Sequence, residues 1–246
     1  MSFKKNRRSP IAAVIVMAAG LALTGGGYAA ATAAVEAVKP VSAVASAEQI
    51  SEGRKLFLAN CASCHGKNAE GSKAAPSLIG VGAASVEFQV ATGRMPGQAS
   101  GPQLEKKKVQ FTEEQIAQMA AYVATLGDGP AIPTDEMVAP NGDSTRGGEL
   151  FRINCAMCHN AVGAGGALTQ GKYAPNLMKV KAEHIYEAML TGPQNMPVFN
   201  DANLTPTDKK DIITYLTYVQ NNRSAGGYEL AGLGPVVEGL FIWIFV

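Results

Sequence analysis

Hydrophobic and polar positions divide the chain into two apolar ends and a long amphipathic body. Residues 11–35 carry no charged side chain. A helix of that length spans about 37 Å, and about 20 residues are enough to cross a bilayer. The last seven residues, 240–246, are also all apolar. The pattern predicts an N-terminal transmembrane helix and, at the other end, the opening turns of a second transmembrane helix that the sequence cuts short.

Charge before the first apolar segment predicts its orientation. Residues 1–10 form a basic stub with four positive side chains: Lys4, Lys5, Arg7 and Arg8. Because positive flanks stay on the cytoplasmic side, we expect a cytoplasmic N-terminus and a body on the outer, periplasmic face of the cell membrane. A signal peptide cleaved near residues 45–47 is the alternative for the first apolar segment and exports the same body. A buried strand is the alternative for the last one.

Within the body, helix-start signals and apolar stripes predict helices. Ser46 with Gln49, and Thr112 with Gln115, have the spacing of capping boxes. Thr205 precedes a proline, as at the first position of a helix. Two stripes have helical spacing, namely Ile116, Met119, Ala120 and Val123, and Ile212, Ile213, Leu216 and Val219. We therefore expect a mainly α-helical body.

An internal repeat divides the body in two. The matching positions are residues 53–61 with 147–155, 75–78 with 174–177, 95–96 with 196–197 and 122–123 with 215–216. Their offset rises from 94 to 101 and then falls to 93, so the first copy holds eight extra residues around 100–108. We predict a first repeat at 48–126 and a second repeat at 144–222. A Gly/Pro-rich, acidic linker at 127–143 joins them, and residues 223–246 form a tail.

Composition narrows the function classes. The 246 residues carry a formal charge of +1, which excludes a basic nucleic-acid footprint and an acidic disordered chain. Aromatic residues make up only 7%, and the segments between the predicted helices are rich in Gly, Pro and small residues. Such segments form a stable domain only around something large and apolar. The sequence contains no P-loop, dinucleotide fingerprint or Ser-His-Asp arrangement.

The cysteines indicate what that apolar group is. All four lie in two C-x-x-C-H motifs, at residues 61–65 and 155–159. This motif is typical of c-type haem, whose vinyl groups take up the two thiols while the histidine reaches the iron. A thioredoxin-like site would need a βαβ context, and a four-cysteine zinc site would use both pairs together. Two disulfides would leave the histidines unexplained.

We therefore predict two covalently bound haem c groups. The attachment points are Cys61, Cys64, Cys155 and Cys158, and the proximal iron ligands are His65 and His159.

Each repeat resembles a class I cytochrome c domain, with C-x-x-C-H followed by a proline loop, a methionine loop and a C-terminal helix. From about residue 48 onward the chain resembles the dihaem cytochrome c subunits of actinobacterial cytochrome bcc complexes, which are menaquinol–cytochrome c reductases. The segments that carry this resemblance are residues 75–82, 93–96, 190–197, 226–228 and 234–235. It implies tandem class I cytochrome c domains and a C-terminal transmembrane helix. It also implies that the carbonyls of Pro76 and Pro175 accept the second ring N–H of the two histidines.

The sixth iron ligands are expected downstream of each motif. Met95 and Met196 each precede a proline at repeat-matched positions, and we predict them as axial ligands. Met178 is the alternative to Met196. His184, on a predicted helix at 182–190, is a weaker alternative because the first repeat has no counterpart to it.

Histidine and methionine together close both axial positions of an iron, which suits outer-sphere electron transfer. The resemblance implies a non-catalytic subunit that takes electrons from a Rieske iron–sulfur subunit. It would pass them to the copper-containing subunit of an aa3-type cytochrome c oxidase, beside a cytochrome b subunit in the lipid bilayer. A dihaem peroxidase and a free-standing dihaem carrier are the alternatives. The lysines at 106–108 are expected to be solvated, or to form an electrostatic docking patch.

Overall fold

The computed structural model describes residues 10–37, 45–98, 101–222, 230 and 235–246. In chain order the helices are α1 (Pro10–Ala37), α2 (Ala47–Asn60), α3 (Ala62–His65), α4 (Gly82–Ala91), α5 (Glu113–Ala124), α6 (Asp135–Val138), α7 (Ser144–Asn154), α8 (Ala156–His159), α9 (Ala182–Thr191), α10 (Pro206–Asn221) and α11 (Pro235–Phe245). Two short antiparallel strands, β1 (Gly166–Ala167) and β2 (Tyr173–Ala174), form a hairpin with a 3₁₀ turn at its tip. The prediction of a mainly α-helical protein is confirmed. The basic side chains of the stub and residues 226–228 lie outside the described residues.

The chain divides into two bodies, Met1–Val41 and Ser42–Val246. The first body contains α1, which continues through the three consecutive glycines at 25–27. Apolar side chains of α1 such as Ile11, Val16 and Leu23 are exposed. In the described part of the chain, no helix has both the length and the apolar character needed to cross a membrane.

The predicted helix starts are confirmed. The Ser46 hydroxyl accepts a hydrogen bond from the Gln49 N–H at 3.1 Å, and the Gln49 side chain accepts one from the Ser46 N–H at 2.9 Å. Thr112 and Gln115 form the same reciprocal pair at the start of α5. Thr205 caps α10, whose first residue is proline. These side chains satisfy backbone N–H groups that have no partner within the helix.

Each repeat is built on a pair of crossed helices. α2 packs on α5 where Gly53 lies against the backbone of Gln118, and a methyl group at Gly53 would overlap the Gln118 carbonyl. α7 packs on α10 with Gly147 against Asp211 in the same way. Because no side chain separates the backbones, the helices approach closely. The two predicted apolar stripes are buried in these crossings, except for half-buried Val219.

A tilted aromatic pair accompanies each crossing. The ring centroids of Phe57 and Tyr122 lie 5.4 Å apart, and those of Phe151 and Tyr215 lie 5.6 Å apart. Such tilted pairs stabilise a core beyond the area they bury. The two repeats therefore share the packing of their first and last helices.

The two repeats contact each other through α4 and α9 and through the extra residues of the first repeat. The Gln103 side chain donates to the Tyr173 carbonyl at 3.0 Å and accepts from the Tyr173 N–H at 2.8 Å. The Leu104 N–H donates to the side chain of Gln194 at 3.2 Å. The insertion of the first repeat is therefore a contact surface for the second.

The linker is packed against both repeats, which its Gly/Pro-rich composition did not predict. The Ala84 N–H of α4 donates to the Pro130 carbonyl at 3.1 Å. Farther along, α6 places Met137 and Val138 against the core of the second repeat. The Asp143 N–H then donates to the Asp211 carboxylate at 2.7 Å, just before α7 begins.

Candidate haem sites

The first C-x-x-C-H motif lies where α2 ends and α3 begins. Cys61 is the C-cap of α2, and the single turn of α3 carries Cys64 and His65. His65 is buried, and its Nδ1 lies 2.8 Å from the carbonyl oxygen of Pro76. A carbonyl can only accept, so Nδ1 carries the proton and donates. The ring is therefore held in the tautomer that leaves the Nε2 lone pair free for a metal ion.

The second motif repeats this arrangement. Cys155 caps α7, and α8 carries Cys158 and His159. The Nδ1 of His159 donates to the carbonyl of Pro175 at 3.0 Å. Burial lowers the pKa of His159, while the hydrogen bond to Pro175 opposes that shift. The neutral imidazole, which is the form that binds iron, is favoured.

Backbone hydrogen bonds hold the loop between each histidine and its proline. The Gly71 N–H donates to the His65 carbonyl at 2.7 Å, and the Leu78 N–H donates to the Ala69 carbonyl at 2.8 Å. The second repeat has the equivalent bonds from Gly165 to His159 and from Leu177 to Gly163, at 2.8 and 2.7 Å. These loops return the chain so that the proline carbonyl faces the ring. The β1–β2 hairpin lengthens the loop of the second repeat without changing this outcome.

Each predicted methionine ligand packs against the same apolar cluster as a cysteine of its own repeat. Met95 and Cys61 both contact the cluster of Val90, Ile116 and Met119. Met196 and Cys155 both contact the core of the second repeat. In each repeat, the structure thus brings a haem-attaching cysteine and the predicted methionine ligand to the same apolar cluster. The assignment of the four iron ligands stays a prediction.

The alternative ligands are also placed. Met178 packs against the core of the second repeat, as Met196 does, and its terminal methyl lies beside Gly163. His184 lies on α9 and faces Glu87 of the first repeat, with 3.5 Å between His184 Nε2 and a Glu87 carboxylate oxygen.

The four cysteine thiols fit covalent attachment to haem better than they fit disulfides or a zinc site. All four cysteines are free, so the structure contains no disulfide between them. Burial, with the charge of Cys64 as a smaller cause, raises the pKa of Cys61 to about 11, and burial likewise raises the pKa of Cys155 to about 12. Among the described residues, the group of side chains close enough to hold a metal ion includes no cysteine. Each repeat thus has two thiols and a tautomer-fixed histidine in one motif, and a methionine that shares an apolar cluster with the first of these thiols. This set of residues fits a c-type haem.

The loop after Met95 is held by a lysine of the predicted solvated run. Lys107 is half-buried, and its ammonium group donates to the Pro96 carbonyl. Its backbone N–H donates to the Gly93 carbonyl at 3.0 Å. Lys106 and Lys108 are exposed, as expected for solvated charges. Lys107 was not predicted to differ from them, because its contact depends on the path of the insertion.

Sequence reasoning missed a polar group between the repeats. Glu87 of α4 lies with His184 and Glu187 of α9, and Glu187 is fully buried. A sequence signal for this group was the position of Glu187 among apolar residues of α9, where it is buried together with Ile185, Tyr186 and Met189. A carboxylate in that position is rare without a partner.

The comparisons with known proteins agree with the repeat. Residues 50–127 match the cytochrome c family, and residues 142–216 match the family described as cytochrome c oxidase, cbb3-type, subunit III. A cytochrome bc1 complex cytochrome c subunit of Corynebacterium efficiens is 44% identical over 97% of this chain and 86% of its own. The protein of the same name from Mycobacterium leprae is 48% identical over 86% of this chain and 77% of its own.

A solved structure of the Kuenenia stuttgartiensis reducing HAO-like protein complex aligns with a TM-score of 0.36 and 14% identity. The alignment covers 68% of this chain and 95% of the other chain. This likeness is too weak to support any conclusion.

Two cytochrome c domains imply bound haem c and electron transfer. The identity to the bacterial subunits extends over nearly the whole chain, so the chain belongs to the family of cytochrome bc1 complex cytochrome c subunits.

Proposed function

We propose that this chain is the membrane-anchored, dihaem electron-transfer subunit of a menaquinol-oxidising bc complex. The observation that carries the proposal is the duplicated arrangement of C-x-x-C-H, proline carbonyl and methionine in repeats at 48–126 and 144–222. Family membership supports the assignment to a bc complex, because the relatives are named as its cytochrome c subunit. The same membership gives no support to a peroxidase.

In this proposal the residues of each repeat have fixed roles. Two cysteines would attach haem c through thioether bonds: Cys61 and Cys64 in the first repeat, Cys155 and Cys158 in the second. The histidine would bind iron through Nε2, since its Nδ1 donates to a proline carbonyl, at 2.8 Å for His65 and 3.0 Å for His159. Met95 and Met196 would be the second protein ligands of the two irons. A bound haem c supplies an iron that takes up and releases one electron.

The proposed ligands suit electron transfer. A methionine bound to the iron would leave no open coordination site for oxygen or peroxide, and its sulfur would raise the reduction potential. The protein therefore only has to hold the iron, exclude water from it and bring one haem edge close to a partner.

We propose that the chain is anchored in the cell membrane, with both repeats on the outer face and the N-terminus in the cytoplasm. Exposed apolar side chains on α1 and α11 support an environment other than water, with Leu21 at 74% and Trp243 at 89% exposed. The basic stub before α1 supports the orientation.

The proposed partners are a cytochrome b subunit, a Rieske iron–sulfur subunit and the copper-containing subunit of an aa3-type oxidase. Surfaces next to the two motifs differ in chemistry, which suits two different partners. Two basic side chains, Arg54 and Lys67, line a groove beside the first motif together with polar and apolar residues. Ile153 and Met157 are exposed apolar side chains beside the second motif. We propose that the first repeat receives electrons from the Rieske centre and that the second delivers them to the oxidase.

Purification in mild detergent tests this function. We expect two haem equivalents per chain in an alkaline pyridine spectrum, and copurification with cytochrome b and Rieske proteins. Menaquinol should reduce both haems in the purified complex. A single haem equivalent would remove the dihaem assignment. Release of the chain from membranes by high salt, without other subunits, would favour a free-standing carrier instead.

A further inference from the structure

Three ionisable side chains from both repeats meet where α4 packs on α9. Glu87 comes from α4, and His184 and Glu187 come from α9 one turn apart. One ligand atom from each lies within 4.8 Å of the other two. The distance between His184 Nε2 and a Glu87 carboxylate oxygen is 3.5 Å. Two ligand atoms at zinc-binding distance and tetrahedral angle lie about 3.4 Å apart.

The group is buried, and three of its four carboxylate oxygens have no hydrogen-bond donor from outside the group. Glu187 is 0% exposed, and neither of its carboxylate oxygens has a hydrogen-bond partner outside the group. One carboxylate oxygen of Glu87 is also buried without such a partner. The side chains of Glu87 and His184 are only 15% and 11% exposed. Buried polar atoms of this kind are costly unless something binds them.

Burial, with the neighbouring Glu87 as a further cause, raises the pKa of Glu187 to about 11. Burial also opposes ionisation of Glu87, but hydrogen bonds from His184 and Glu187, together with the charge of His184, lower the pKa of Glu87 overall. Glu183 on α9 and Lys181, the residue that precedes α9, also contribute charge at the group. Glu187 therefore holds a proton when no cation is bound, and a divalent cation would displace that proton on binding.

We propose that Glu87, His184 and Glu187 form a site for a divalent transition-metal ion, with zinc as the first probe, that joins the two repeats. One imidazole nitrogen and two carboxylate oxygens are ligands that zinc accepts, and three protein ligands leave a fourth position for water. An imidazole in the set favours a transition metal over Mg²⁺ or Ca²⁺, which prefer oxygen ligands alone. The ion would tie α4 to α9 and so fix one repeat against the other.

The full haem-loaded chain, purified in detergent and stripped with a chelator, tests the site. Any free thiol is first alkylated, so that cysteines cannot bind the probe. After incubation with Zn²⁺ and dialysis, elemental analysis should find one more zinc per chain in the wild type than in Glu187→Gln. We expect Glu187→Gln to weaken zinc binding by more than ~100-fold, because loss of a direct ligand should exceed the effect of outer-shell changes. X-ray absorption should show only nitrogen and oxygen neighbours around the zinc.

Matched variants keep the test decisive. Glu183→Gln removes the same charge from the same helix without removing a ligand atom, and should bind zinc as the wild type does. His184→Ala should lose zinc in the same way as Glu187→Gln. Zinc should raise the Tm of the wild type and of Glu183→Gln, but not of the two ligand variants. Equal zinc retention by all four proteins, or sulfur neighbours around the metal, would overturn the site. The result is independent of the haem count, since the haem spectrum is measured separately.

Discussion

The two repeats agree where backbones meet and differ where side chains fill the space between helices. Gly53 and Gly147 place the same close contact at the crossing of the first and last helices. Four residues after the N-cap threonine of the last helix, however, the first repeat has Ile116 and the second has buried Lys209. One backbone scaffold therefore accepts an apolar side chain or a charged one, provided that the charged one finds partners.

A second difference lies at the interface between the repeats. Thr92 and Thr191 each donate a hydroxyl hydrogen bond to the carbonyl four residues earlier. Phe88 of α4 and Glu187 of α9 therefore occupy equivalent positions in the two repeats. One position thus presents an aromatic ring and the other a carboxylate. The ring of Phe88 packs edge-on against His184, with centroids 6.3 Å apart. The interface between the repeats is therefore asymmetric, although the helices that form it are equivalent.

The largest effect is expected at the helix crossings. Gly53→Ala and Gly147→Ala should each destabilise the protein by about 3 kcal/mol, because the added methyl overlaps a backbone carbonyl that cannot move aside. Denaturant unfolding of the haem-loaded protein measures this loss. Gly148→Ala is the matched control, because its methyl would meet side-chain atoms of the Tyr215 ring at 3.1 Å and overlap no backbone carbonyl. Unequal costs for Gly53→Ala and Gly147→Ala would show that the two crossings are not equivalent.

The next effect concerns Lys209, which is 0% exposed and donates to Asp201 at 2.6 Å and to the Leu204 carbonyl at 2.9 Å. Asp201→Asn should cost about 2 kcal/mol, although Asp201 is itself exposed, because it leaves a buried ammonium without its counter-charge. The double variant with Lys209→Met should recover part of that loss. Urea unfolding midpoints of the single and double variants provide the check. Full additivity of the two substitutions would contradict the pairing.

A smaller effect is expected in the loops behind the histidines. Ala69 has a φ of +60° where the second repeat has Gly163 with a φ of +73°. Gly163→Ala should cost about 1–2 kcal/mol, from the left-handed backbone and from a contact with the Met178 methyl. Ala69→Gly should change stability by less than about 1 kcal/mol, since relief of strain offsets the added chain entropy. Thermal unfolding distinguishes the two, and equal effects would remove the distinction between the loops.

The smallest effect is expected between the insertions. Gln103→Ala removes both hydrogen bonds to the Tyr173 backbone, at an exposed site where each is worth about 0.5–1.5 kcal/mol at most. Global stability should hardly change. Hydrogen exchange at the Tyr173 amide should accelerate, whereas exchange at the Leu177 amide, bonded within its own repeat, should not. Unchanged exchange at Tyr173 would show that the insertion does not hold the second repeat.

Local features of the fold could be predicted from the sequence because they depend on neighbours in the chain. The caps at Ser46, Thr112 and Thr205 and the stripes of α5 and α10 follow from residue spacing alone. The contacts from the histidines to Pro76 and Pro175 were expected from the family resemblance rather than from spacing.

Features that depend on how the repeats meet could not be predicted. Lys107 lies in a charged run, and only the path of the insertion turns it onto the Pro96 carbonyl. Glu87 and Glu187 are 100 positions apart, so nothing in the sequence indicates that they share a site. The packed linker depends on Gly82, whose positive φ and close approach to Pro130 are properties of the folded chain.

The two repeats are joined by the contact of Gln103 with Tyr173, by the packing of α4 on α9, and by the linker, which contacts both repeats. A single contact would leave a hinge, and each further contact restricts the rotation of one repeat against the other. These contacts therefore limit how far the spacing of the two methionine loops can vary. The rate of electron tunnelling falls steeply with distance. Contacts that limit the spacing between the repeats would therefore narrow the range of rates for transfer between two bound haems.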